Sequence, residues 1–119
     1  MWNFKRLDAW RRTRSLIASC YEATAAFPRS EIFGLASQIR RAANSIGANI
    51  AEGCARESGR DRARFLETSY SSGYELEHHL IVASDLGLID QTISDRLIAE
   101  LEEVRWMLAA LRLRSLGDP

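Results

Sequence analysis

Histidines and paired carboxylates are the residues through which this chain could do chemistry, and few of them are suitably spaced. Glu75-Leu76-Glu77-His78 has the Glu-x-x-His spacing that supplies half of a carboxylate-bridged di-iron site in a helical bundle. Such a site needs a second Glu-x-x-His from another helix, whereas the two histidines are the neighbours His78 and His79. On a helix, Glu75 and His78 also project away from the stripe centred on Leu76, so neither a metal nor another cofactor is expected. Ser69, Ser71 and Ser72 have no base close in sequence. No nucleophile elbow, P-loop, dinucleotide fingerprint or zinc spacing occurs. Any imidazole base would have to be His78 or His79. No catalytic residue can be named, and the chain reads as non-enzymatic. Cys20 and Cys54 follow no CxxC spacing and sit inside apolar helical patterns, as buried free thiols do.

Arginine is the remaining chemical resource. The 16 basic residues include a single lysine, Lys5, and are balanced by 16 acidic ones. With zero formal net charge, no global field draws the chain to a polyanion or a membrane surface, and any such partner needs a local patch. Arginine serves carboxylate-rich interfaces and phosphates equally well, because its planar fork matches both.

The elements that must position these residues are helical. One domain, residues 1–119, is expected, since the length and 46% hydrophobic content suffice for a single core. The first helix should run from Leu7 to Ala26, with Leu7, Trp10, Ile17, Tyr21 and Thr24 recurring at helical spacing, and should stop at Phe27-Pro28. Ser30 then reads as an N-cap with Glu31 in the first turn. From Phe33 to Gly53 the second helix carries Leu35, Ile39, Ala42, Ala43, Ile46 and Ile50 on one stripe. Its other side carries the small residues Ser37, Asn44, Ala48, Ala51 and Ala55. Asn44, Asn49 and Glu52 either satisfy one another or fix an interface register, or they line a groove with Arg40 and Arg41. Ser58 with Asp61 forms a capping box for a third helix, Gly59 to Leu86, whose core face holds Phe65, Ser69, Ser72, Gly73, Leu76, Leu80 and Ala83. A second strip of Ala63, Tyr70, Tyr74 and Ile81 lies nearly opposite. Gly87 ends that helix, and Asp90 or Ser94 can cap a fourth, with Ile93, Leu97, Leu101, Val104, Leu108 and Leu111 in a stripe reaching Leu116. Four helices with short connections imply an all-α, up-down-up-down antiparallel bundle. Surplus apolar faces on the second and third helices point to a homo-oligomer, with Ser37, Asn44, Ala48, Ala51, Tyr70, Tyr74 and Ile81 as candidate interface residues. No stretch approaches the roughly 18 apolar residues of a membrane span, so a cytoplasmic protein without a membrane partner is expected.

That topology gathers the start of the first helix, the end of the second, the start of the third and the end of the fourth at one pole. Lys5, Arg6, Arg11, Arg12, Arg14, Arg56, Arg60, Arg62, Arg64, Arg112 and Arg114 collect there. Asp8, Glu52, Glu57, Asp61 and Asp118 offset them only in part, leaving about +6 at this pole and an acidic balance elsewhere. The arginines from Arg11 to Arg114 are the candidate nucleic-acid-binding residues. Equally, arginines at helix C-termini suit the helix dipole, and others could pair with Glu57 or Asp61.

The run FPRSEIFGLASQIRRAANSIGANIAEG, Phe27 to Gly53, resembles the signature of the bacterial four-helix-bundle proteins first known from intervening sequences inside large-subunit ribosomal RNA genes. The likeness continues through Arg56, Ser58, Phe65-Leu66, Tyr74-Glu75-Leu76-Glu77 and Leu86-Gly87-Leu88, so it covers nearly the whole chain. Gly47 departs from it, standing where those proteins usually have a proline, and a kink expected there is softened. The resemblance implies a cytoplasmic bundle that assembles as a ring, since similar proteins are pentamers. It also implies kinship with the accessory protein of diversity-generating retroelements, a basic pentamer that binds nucleic acid and a reverse transcriptase. A non-enzymatic assembly that binds RNA, DNA or a nucleic-acid-processing protein is the leading expectation, and a purely structural interaction module is the alternative.

Overall fold

Each helix begins and ends where local chemistry interrupts the hydrogen-bond ladder. In the computed structural model, which describes residues 1–119, the helices are α1 (Asp8–Ala25), α2 (Leu35–Cys54), α3 (Gly59–Asp85) and α4 (Gln91–Leu116). Short 3₁₀ turns at Phe4–Arg6 and Arg29–Glu31 precede the first two. Neighbours in sequence are neighbours in space: α1 packs on α2 and α4, and α3 packs on α2 and α4, with no contact across the diagonals. The result is an elongated bundle of 48 × 23 × 20 Å. No helix is long and apolar enough to cross a membrane.

The caps match the expected positions in three places and differ in one. The Ser58 Oγ accepts from the Asp61 N–H at 3.1 Å, so the start of α3 is capped as its sequence suggests. At the end of α3 the Leu88 N–H donates to the Ala83 carbonyl (2.9 Å) and the Gly87 N–H to that of Ser84 (3.0 Å), with Gly87 at φ +72°. This is a Schellman closure, and it needs glycine at Gly87 because a Cβ is strained there. Helix α2, however, starts at Leu35, not Ser30. Ser30 is exposed in the 3₁₀ turn and caps nothing, and Gly34 holds the N-cap position without a side-chain bond. The Glu31 carboxylate lies beside Gly34, so a negative charge still meets the dipole of α2. Asp90 occupies the N-cap position of α4 without a side-chain bond, while Ser94 is buried and donates to the Leu80 carbonyl at 3.3 Å.

One continuous core runs the length of the bundle, through Leu16, Ile39, Ile46, Ile50, Leu66, Leu76, Leu80, Leu97, Leu101 and Leu108. The stripes expected on α2 and α4 are buried except at their ends, where Leu35, Ile93 and Leu111 are half-buried. On α1 the buried line is rotated from expectation: Ala9, Thr13, Leu16, Cys20 and Thr24 face inward, Trp10 and Ile17 are half-buried, and Tyr21 is exposed. Small residues let α1 approach closely. The hydroxyls of Thr13 and Thr24 remain satisfied because they donate to the carbonyls of Ala9 and Cys20, each at 2.7 Å. Trp10 is covered instead by Phe4, edge to face at 5.0 Å. On α3, Ala63 is buried while Phe65 is only half-buried, so the two expected strips are partly exchanged. Helix α2 is continuous through Gly47, where an added Cβ would stand 3.3 Å from Ile17 Cδ1, a close approach between α1 and α2.

The pole where the chain ends meet is closed by a clamp. The Trp2 N–H donates to the Cys54 carbonyl at 3.0 Å, covering the end of α2. Arg62 is buried, donates to Ser115 Oγ at 2.9 Å, pairs with Asp118 and stacks on Trp2 at 3.9 Å. Gly59 makes room for this, because an ideal Cβ there would overlap the Ser115 carbonyl oxygen.

Two measurements test this packing. Gly59→Ala should lower the unfolding free energy by about 1–3 kcal/mol through overpacking. Gly117→Ala, whose Cβ would meet nothing closer than 3.5 Å, should change it by less than ~0.5 kcal/mol. Urea titration followed by circular dichroism reads both. Burial, helped by the charge of Glu100, pushes the Cys20 thiol up to about 12 from 9.0, and burial also raises Cys54. The folded thiols hold their protons where unfolded ones release them. This stabilisation is therefore complete below the ordinary thiol pKa and is lost as pH rises toward the folded values. Iodoacetamide at about pH 8 should label both cysteines slowly in the native protein and rapidly in urea.

Candidate nucleic-acid interface

Arg6, Arg56, Arg60, Arg62 and Arg114 lie by the pole where the chain ends meet, whereas Arg12 pairs with Glu103 halfway along α4, and these arginines are not equally available. Residues 60, 62 and 64 lie on the first turns of α3, where the helical repeat turns Arg60 and Arg64 to one side and Arg62 to the other. Arg60 and Arg64 are exposed, whereas Arg62 is 2% exposed and held in the clamp. Arg62 is therefore corrected from a candidate phosphate ligand to a structural cation. A buried guanidinium already engaged by a carboxylate, a hydroxyl and an indole face has no edge left for a ligand.

The others divide into paired and open groups. Arg12 forms an ion pair with Glu103 across the α1–α4 seam, and Arg112 lies 3.8 Å from Glu67 across α3–α4, with its Nε buried and unpartnered. Arg64 has an exposed neighbour in Asp61 at 3.5 Å, and Arg11 has one in Asp8 at 3.8 Å, while Arg11 Nε donates to the Lys5 carbonyl at 3.0 Å. Exposed pairs of this kind are worth roughly 0–1 kcal/mol, so a phosphate can compete with them. Three arginines stack on aromatic rings: Arg14 on Trp10 (5.6 Å), Arg56 on Phe65 (4.6 Å) and Arg114 on Trp2 (4.8 Å). Stacking occupies one face of the guanidinium and leaves its N–H edge free. Arg6 and Arg60 are exposed and enter no ion pair.

The candidate interface residues fall on two different sides. Ser37, Asn44 and Ala48 are exposed and Ala51 half-buried along α2. Asn44 donates to Tyr21 Oη and to the Arg40 carbonyl, each at 2.9 Å, so this strip borders α1. Asn49 donates to the Ser45 carbonyl at 2.8 Å, and Arg40 Nε donates to Thr24 Oγ1 at 2.8 Å. Local satisfaction thus accounts for Asn44 and Asn49, each bonded within α2 or to α1 and not to the other, while Glu52 is exposed. Tyr74 and Ile81 are exposed and Tyr70 is half-buried on α3. The two tyrosines meet edge to face at 5.4 Å, and the phenol of Tyr74 is held above its ordinary pKa chiefly by its hydrogen bond to Tyr70.

Two residues on this second side carry no expectation from the sequence. Arg105 is buried between α3 and α4, with Glu77 at 2.8 Å, the Gly73 carbonyl at 3.3 Å and the Tyr74 ring at 4.3 Å. Trp106 next to it is 85% exposed and borders a groove of about 550 Å³ with Tyr70 and Tyr74. An arginine adjoining a core stripe position, opposite a glycine, is the only sequence signal that could have located the first. The second is a tryptophan outside every apolar stripe, and that mismatch was its signal.

The Glu-x-x-His spacing does not assemble as such. Glu75 lies 3.4 Å from His79 Nε2, one helical turn on, while His78 is exposed and meets His79 edge to face. No group of three or more His, Cys, Asp or Glu side chains converges at metal-binding spacing. No curated protein matches the chain. Residues 5–110 match the family described as 23S rRNA-intervening sequence protein, and with four helices in one bundle and that match spanning most of its length, the chain belongs to that family.

Proposed function

We propose that this protein is a non-enzymatic oligomeric bundle that binds nucleic acid, or a partner that processes it, through its arginine-rich pole. The observation that carries the reading is the concentration of exposed guanidinium groups at one end of a chain with no net charge. Arg6, Arg11, Arg14, Arg56, Arg60, Arg64 and Arg114 all present edges there. Stacking on Trp10, Phe65 and Trp2 holds three of them in place, lowering the entropy lost when a phosphate is gripped. The family's link to ribosomal RNA genes is in keeping with such a partner.

The same reading includes self-association as a ring. The small-residue strip of α2 lies on the α1–α2 side, and the Tyr70, Tyr74 and Trp106 surface lies on the α3–α4 side. A contact between two different faces is heterologous, so it repeats head to tail and closes as a ring when the rotation allows, with five members as the number proposed. A cyclic array would place the basic poles side by side and multiply their contacts.

Two experiments test these proposals. RNA, single-stranded DNA and duplex DNA should bind at about 50 mM salt and lose at least a hundredfold in affinity by about 200 mM. Replacing Arg11, Arg60 and Arg64 by glutamine should flatten the salt slope by about one for each arginine that contacts phosphate. Absence of binding at the lowest salt, or a triple variant that binds like the parent, would leave the pole a structural feature and favour a protein-interaction module. Light scattering should give a multiple of the 13.4 kDa chain mass at micromolar concentration. Ala48→Glu should return a monomer of unchanged helicity, because Ala48 is exposed in the single bundle. A parent that runs as a monomer defeats the ring.

A further inference from the structure

We infer that the groove between the start of α1 and the end of α4 receives one unpaired nucleobase, so that the basic pole prefers single strands to duplex; this rests on the nucleic-acid reading of the pole. The groove has a volume of about 430 Å³. Its walls are hydrocarbon: Leu7 on one side and Met107 and Leu111 on the other are all half-buried, with Ala110 exposed at the lip. Small side chains at Ala9 and Ala110 keep the seam from filling, unlike the leucine-lined contacts deeper in the core.

Two cations flank this apolar floor. Arg6 lies at the end of the 3₁₀ turn and enters no ion pair, and Arg114 is held against the Trp2 ring at 4.8 Å. Asp8, the one carboxylate on the lining, lies 3.8 Å from Arg11. An apolar slot with a guanidinium on either side suits a ligand in which a flat, weakly polar body sits between two anions. A nucleotide within a single strand has that form, with its base between two phosphates. In a duplex the bases are stacked and paired and cannot enter a side-chain groove, so only the phosphates remain to be held. Met107 adds an adaptable, polarisable surface that accepts any base face, so the preference is for strandedness and not for sequence.

The test compares three probes of equal length by fluorescence anisotropy at about 50 mM salt: oligothymidylate, a DNA duplex, and an abasic single strand with the same phosphates. Oligothymidylate should bind at least about fivefold more tightly than either of the others, as burial of one base face against hydrocarbon supplies. Ala110→Leu, which fills the lip from an exposed helix position, should remove that difference and leave duplex binding unchanged. If all three probes bind alike and Ala110→Leu changes nothing, the pole reads phosphate alone; this inference falls while the proposed function stands. If no probe binds, both fall. If Ala110→Leu changes the mass of the assembly, the groove belongs to a contact between copies and the inference is overturned. The abasic comparison decides the matter on the parent protein even if the variant folds poorly.

Discussion

Closure of the basic pole depends on one buried cation. Removing a guanidinium from water is costly, and the cost is offset only when its charge and donors are met. Arg62 meets those conditions with Asp118, Ser115 and the face of Trp2, which belong to the two ends of the chain. The start of α3, the end of α4 and the N-terminal segment are thereby bound into one unit. Trp2 extends that unit to α2 through the Cys54 carbonyl and also supports Arg114. Trp2 thus serves both the closure of the bundle and the placement of Arg114, so a change at Trp2 alters the two together.

At the pole and along the bundle, cohesion also depends on small residues that let helices approach. An added Cβ at Gly53 would stand 2.9 Å from Phe65 Cβ, and one at Gly73 would stand 3.2 Å from Arg105. At such separations polar side chains can bridge backbones directly. Ser69 donates to the Ile46 carbonyl at 2.8 Å, and Ser45 meets Ser72 at 2.8 Å. Arg105 uses the space opposite Gly73 to reach that residue's carbonyl and Glu77, so a second buried arginine pins α3 to α4. The small middle of α3 therefore serves the inside of the bundle. Its surplus apolar surface lies elsewhere, at Tyr74 and Ile81.

Much of this arrangement was legible in the residues. The stripes of α2 and α4 repeat large aliphatic residues at helical spacing, and such residues have one physical destination. Helix α1 is less legible because its inward line sets one large residue, Leu16, among Ala9, Thr13, Cys20 and Thr24, while Trp10, Ile17 and Tyr21 lie at its edges. Hydropathy favours the large residues, and only packing shows that the small ones allow closer approach. Helix order alone sets the start of α3 beside the end of α4, where Arg62 meets Asp118, but it does not show that Arg12 reaches Glu103 halfway along α4. Which arginines remain open did not follow, because that depends on tertiary partners: Arg62 and Arg60 are two residues apart, yet one is buried and the other free. Nor could residue types show that Arg105 is buried and Trp106 exposed, since both reverse the usual preference of their side chains.

The separation of charge along the bundle also constrains what an assembly can do with it. An antiparallel pair of bundles would set each basic pole beside a partner's acidic end, and the two fields would largely cancel within a Debye length of about 8–10 Å. A ring whose axis runs parallel to the helices does the reverse, since every basic pole falls on one face. The proposed ring would use that distribution. The two candidate contact surfaces differ in kind, small and polar on the α1–α2 side and aromatic on the α3–α4 side. A two-fold pair buries like against like, which would set Tyr74 and Trp106 against their own copies and leave the α2 strip uncovered. In the proposed ring, head-to-tail contact would cover both surfaces on every subunit and would leave the exposed arginine edges near the start of α3 free for the proposed phosphate-bearing partner.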